Sequence, residues 1–131
     1  MNKINVLAAK RALSDAFNGY NPPVACYYDK APAAAEFPYS VIKNVHISPL
    51  NDGDIINFNL EIHTDDTRAD AAEELEQICD IYRNAADGAL LSDKTTFYGH
   101  INFNSQDDGA LDAEYDLAHR TMSFSLRLFY L

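Results

Sequence analysis

His63 is followed by Asp65 and Asp66 in the run Ile62-His63-Thr64-Asp65-Asp66. An imidazole and a carboxylate at that spacing can share one ion, but a stable site needs a third protein ligand from elsewhere in the chain. The alternative, a solvent-facing strand residue followed by the polar start of a helix, needs no missing partner. Asn51-Asp52-Gly53-Asp54 has the flavour of a calcium loop, yet no Glu stands where an EF-hand closes, so a hairpin turn accounts for it. His46, His100 and His119 lie on alternating, strand-like stretches, and none has a Ser or Cys placed as a nucleophile beside it. Carboxylates are paired at 65/66, 73/74 and 107/108, as expected of a solvated surface. No phosphate loop, dinucleotide fingerprint, GxSxG or HExxH occurs. No catalytic residue, metal site or cofactor site is assigned, and the chain does not read as an enzyme.

Composition narrows the classes further. Twenty acidic residues against ten basic ones give a net charge of −10, which argues against groove or backbone binding to nucleic acid. Two cysteines, Cys26 and Cys79, are too few for a disulfide scaffold or a zinc site, and Cys79 sits on the apolar face of a helical stretch. No run of about 18 apolar residues could span a bilayer, and the helically spaced N-terminus does not read as a signal peptide. One domain over residues 1–131 is expected, large enough to bury roughly two-thirds of the surface its unfolded chain exposes.

The elements that would position these residues follow from periodicity. Val6, Ala9, Leu13 and Phe17 form one stripe of a helix over 4–17, stopped by Asn18-Gly19 and the prolines at 22 and 23. Val24–Tyr28 is a short edge strand, in which the Tyr27-Tyr28 pair serves either a core or a contact surface. Lys30–Phe37 is an Ala/Pro-rich loop. In the strand from 39 to 48, Tyr39, Val41, Val45 and Ile47 are expected inward and Ser40, Asn44 and His46 outward, with Lys43 marking a bulge or an edge.

A turn at 49–54 leads into a second strand over 55–64, making a hairpin, with Ile56, Phe58, Leu60 and Ile62 on one face. The period then switches from 2 to 3.6. Asp65, Asp66 and Thr67 suit an N-cap, and Ala71, Leu75, Ile78, Cys79 and Tyr82 line the apolar face of a helix ending at Asp87-Gly88. Ala89-Leu90-Leu91 is expected under the sheet, followed by a strand over 95–103. Ser105–Tyr115 reads as a long acidic loop, and a final strand over 119–130 buries Met122, Phe124, Leu126, Leu128 and Tyr130. The expected fold is α+β: one antiparallel or mixed sheet of about four to five strands with two helices on one face, in the order α-β-β-β-α-β-β.

Several stretches together resemble the tail terminator or tail completion proteins, the head-tail joining family of long-tailed bacteriophages. They are the helix VLAAKRALSDAF, the strands VACYYD and FPYSVIKNV, the strand-to-helix unit FNLEIHTDDTRADAAEELEQICDIY, and the closing strand DLAHRTMSFSLRLFY. The resemblance covers nearly the whole chain through short, degenerate motifs. It implies a structural protein, made in the bacterial host cytoplasm and located at the head-proximal end of the virion tail. There it would form a homo-oligomeric ring, usually a hexamer, that caps the tail tube and stops its polymerisation. Its partners would be other copies of itself, the tail tube protein and the head-side connector, with DNA only as passing cargo and no membrane. No cofactor is implied, and no residue-level site carries over. The chain's own loops supply the candidate assembly interface: Asp107, Asp108, Leu111, Asp112, Glu114 and Tyr115 in the acidic loop, with Glu36 and Phe37 in the Ala/Pro-rich one. Alternative readings are a head-completion or other minor tail protein, or a non-viral small-molecule binding domain.

Overall fold

Strand β3 (Gly53–Asp65) carries the strictest alternation in the chain, and the rest of the sheet is assembled on it. Ile56, Phe58, Leu60 and Ile62 are all buried, whereas Asn57, Asn59, Glu61 and His63 point away from the core. Burying those four apolar side chains contributes on the order of 6–12 kcal/mol. A computed structural model describes residues 6–20, 24–65, 70–92, 94, 97–107 and 117–130.

The remaining elements are α1 (Val6–Asn18), β1 (Ala25–Tyr28), β2 (Tyr39–Pro49), α2 (Ala71–Ala86), β4 (Leu90–Ser92), β5 (Phe97–Asp107) and β6 (Leu117–Tyr130). They form a six-stranded sheet in the order β1-β2-β3-β6-β5-β4, with β1 parallel to β2 and every other pair antiparallel. This corrects the expected α-β-β-β-α-β-β order and its four to five strands. The extra strand is β4, three residues whose register Leu90↔His100, Leu91↔Gly99, Ser92↔Tyr98 comes from pairing with β5. A segment that short has no periodicity to read. Its Leu90 is 83% exposed, not tucked under the sheet, while Leu91 and Ala89 pack against the core.

The core lies between the sheet and the two helices. Ala9, Leu13 and Phe17 of α1 and Leu75, Ile78, Cys79 and Tyr82 of α2 join the inward residues of β3, β5 and β6. Phe17 is its hub, meeting Phe58, Tyr82 and Phe124 edge-on at ring separations of 6.0, 5.4 and 5.5 Å. Helix α1 touches both edge strands, β1 and β4, so the sheet curls around it.

Three further expectations change in detail. In β2 the inward residues are Ser40 and Ile42, then Val45; Tyr39 lies on the opposite face, in register with His63, and Val41 lies opposite Glu61. The cause is a bulge between Lys43 and His46, with Asn44 at a left-handed φ of 55°. One extra residue reverses the phase of everything before it. Helix α2 starts at Ala71 with Asp70 at its N-cap, and Asp65 instead ends β3 opposite Leu117; Asp66 and Thr67 lie outside the described residues. Finally, Ser105–Asp107 belong to β5, which continues past a second bulge between Phe103 and Ser105.

Candidate functional site

With both helices on one side, no described helix covers the other face of the sheet, and its residues are set by register. Across β2, β3 and β6, Tyr39, His63 and His119 are cross-strand neighbours. Their rings form a row with Phe37: Phe37 stacks on Tyr39 at 5.4 Å, Tyr39 on His63 at 5.2 Å, and His63 faces His119 at 5.7 Å. Tyr27 meets Tyr39 edge-on at 6.1 Å, which places it on this face. His63 Nε2 lies 3.1 Å from Glu61 Oε1, and Lys43 Nζ lies 3.6 Å from the same oxygen. Burial holds the His63 pKa below its ordinary value, helped by the nearby His119 and Lys43 and opposed by Glu61. The imidazole is therefore neutral at pH 7, a ring held by stacking and one hydrogen bond.

The middle of the face is polar. Ser123 Oγ donates to Asn59 Oδ1 at 3.0 Å, with Asn57 and Asn102 alongside in register with Ser125. At the opposite end Arg127 binds the Asp52 carboxylate and lies 4.2 Å over the Phe129 ring, which stacks on Tyr98 at 5.0 Å. Arg127 holds the Asp52 carboxyl below its usual pKa. A face of stacked rings, amides and paired charges offers hydrogen bonds and flat aromatic contact.

The nucleophile candidates Cys26, Cys79 and Ser40 are buried. Desolvation pushes the Cys26 thiol up to about 11, partly offset by Ser40. Ser40 Oγ lies 3.2 Å from the buried Tyr82 hydroxyl, whose own pKa is raised by desolvation. Both cysteines are buried, and neither is in a disulfide. Among the described residues no cluster of three or more His, Cys, Asp or Glu side chains could hold a metal ion, and no helix is long and apolar enough to cross a membrane.

Of the expected interface residues, Glu36 and Phe37 are exposed in the loop before β2, and Asp107 is exposed at the end of β5. The registers Tyr39↔His63↔His119 and Asp107↔Thr121 put them at one end of the sheet. Asp108, Leu111, Asp112, Glu114 and Tyr115 lie outside the described residues.

Sequence reasoning missed two features. The ring row is built from three strands, and only the register brings Tyr39, His63 and His119 together. The second is a groove of about 180 Å³ between α1 and β1, lined by Leu7, Lys10, Arg11, Ser14 and Tyr28. It is smaller than the roughly 300–1,000 Å³ of small-molecule sites. Leu7 and Tyr28 are 53% and 38% exposed there, and Lys10 Nζ sits 4.9 Å over the Tyr28 ring. The signal available in sequence was the cationic pair Lys10-Arg11 on the far side of the apolar stripe.

No protein-family model matches the chain, and no curated protein matches it. Among solved structures it is similar to a chain of the virion of a native gene transfer agent particle, with a TM-score of 0.56 at 18% identity. The likeness covers 96% of this chain and 86% of that one, and at this identity what it establishes is a shared fold.

Proposed function

We propose that the protein is a structural component of a phage-like particle, and more narrowly that it caps the tail tube as a homo-oligomeric ring. In that role it ends tube polymerisation and presents the head-tail joining surface to a connector, with DNA passing through as cargo. The observation that carries the reading is the near full-length likeness in fold to a chain of a gene transfer agent virion. The resemblance of its strand and helix segments to tail terminator proteins supplies the narrower role. Two properties of the chain support a non-enzymatic reading. Its thiols are buried, with Cys26 raised well above the range of a reactive thiolate. Its sheet face away from the helices is laid out for flat contact, not for enclosing a substrate.

The test is to add purified protein to tails assembled without their terminator and to image them by negative-stain electron microscopy. Tails of uniform length bearing an extra density at the head-proximal end are the expected outcome. Continued tube growth with no added density removes the capping role and shifts the protein to another joint of the particle.

A further inference from the structure

The groove between α1 and β1 carries two cations side by side, Lys10 and Arg11. Lys43, Arg83, Arg120 and Arg127 each pair with a carboxylate of the same chain, namely Glu61, Asp80, Glu76 and Asp52. Lys10 and Arg11 have no carboxylate partner among the described residues; the same holds for Lys30 and Lys94, but those two stand alone, whereas Lys10 and Arg11 are adjacent. They flank an apolar lining supplied by Leu7 and the Tyr28 ring. A chain of net charge −10 thus keeps two adjacent cations without a carboxylate at a partly apolar groove, Lys10 resting over the Tyr28 ring.

The complement to that groove is in the sequence itself. Between 107 and 116 stand Asp107, Asp108, Asp112, Glu114 and Asp116, five acidic residues with no basic one, interspersed with Leu111 and Tyr115. We infer that the groove between α1 and β1 receives the acidic segment 107–116 of a second copy of the chain. Carboxylates meet Lys10 and Arg11, and Leu111 and Tyr115 cover Leu7 and Tyr28. This rests on the assembly reading above and names the contact that joins one subunit to the next.

Reach favours a neighbouring copy over the same one. The segment leaves β5 at Asp107 and rejoins the sheet at Leu117, at the end where β1 begins. Nine residues held at both ends extend roughly 15 Å at their tip. Counted along the curled sheet the groove is three to four strand spacings away, at most about 14–19 Å, and Tyr28 lies a further 10 Å or so along β1. The contact is also heterologous, since two different patches meet. Repeated around an axis, such a contact gives a ring where the rotation between copies closes and an open filament where it does not.

The experiment mixes equal amounts of light- and heavy-nitrogen-labelled full-length chain, allows assembly in solution and on terminator-free tails, and applies a carbodiimide. That reagent joins a lysine to a carboxylate only where the two already touch. The expected result is a set of peptides joining Lys10 to residues 107–116, about half of them carrying one light and one heavy partner and all suppressed by molar salt. K10E/R11E should weaken association by at least about tenfold, and adding D108K/D112K should restore it. Peptides of single label only place the segment in its own chain's groove and overturn the inference. Oligomers by sedimentation without these peptides overturn it while leaving the assembly reading standing. A monomer in solution and on tails, with no mixed-label peptides, removes both.

Discussion

His63 shows how one residue type changes meaning with its neighbours. Beside Asp65 and Asp66 in sequence it suggests a ligand, but its ring lies between Tyr39 and His119 with Nε2 on Glu61. Its pKa is lowered in the fold, chiefly by burial, whereas the unfolded chain takes up the proton near pH 6.5. Below about pH 6.5 the unfolded state therefore binds more protons than the native one. The stability associated with this ring is complete above that pH and falls as pH drops toward the folded value. Thermal denaturation between pH 7.5 and 5 should show the melting temperature falling on the acid side, with His63→Gln flatter across that window. An equal slope in His63→Gln would assign the pH dependence to other groups. The alternation of β3 made His63's outward direction legible. Its ring neighbours are not: the bulge expected at Lys43 is there, but the expected alternation runs straight through it and puts Tyr39 on the wrong face.

The edges of the sheet are managed by the elements next to them. The Cys26 N–H donates to Asn18 Oδ1 at 2.8 Å, and Asn18 Nδ2 donates to the Cys26 carbonyl at 3.0 Å. The amide at the end of α1 thus pairs with β1 as a neighbouring strand would, occupying hydrogen-bonding groups that would otherwise template another chain. Asn18 also fastens itself to its own helix by donating to the Ser14 carbonyl at 2.9 Å. Asn18→Ala should cost about 1–2 kcal/mol in chemical denaturation, and soluble protein should decline with concentration as the β1 edge opens. A variant of wild-type stability would show that packing of α1, not this amide, guards the edge. Sequence reading identified Asn18 as a helix stop, which it is, but its second role depends on a strand eight residues away. The long periodic elements α1, α2, β3 and β6 were legible because each buries one face over three or more turns or pleats. Strand β4 was not, since its three residues become a strand only through β5.

At the level of the whole molecule, charge and fold pull in different directions. Copies carrying −10 each repel one another, so any ring must concentrate its attraction in a few contacts. The core of one subunit is built from its own elements. It is closed by α1, α2 and the inward rows of β3, β5 and β6, and Asp107 still pairs with Thr121 before the chain leaves β5. Arg120 Nε and Glu76 Oε1, 2.8 Å apart, tie β6 to α2 close to where the chain rejoins the sheet. Neither the Asp107–Thr121 pairing nor the Arg120–Glu76 ion pair draws a residue from 108–115. Replacing 108–115 by an uncharged Gly/Ser stretch of equal length should leave the melting temperature within about 2 °C, since surface changes away from packed groups typically move stability by less than about 0.5 kcal/mol. The same variant should fail to cap terminator-free tails and should sediment as a monomer where the parent associates. If it caps tails as well as the parent, assembly runs through the sheet face away from the helices instead, and the ring row around Tyr39 and His63 becomes the surface to mutate. If it unfolds, the segment belongs to the core of its own subunit, and the separation of folding from assembly argued here fails.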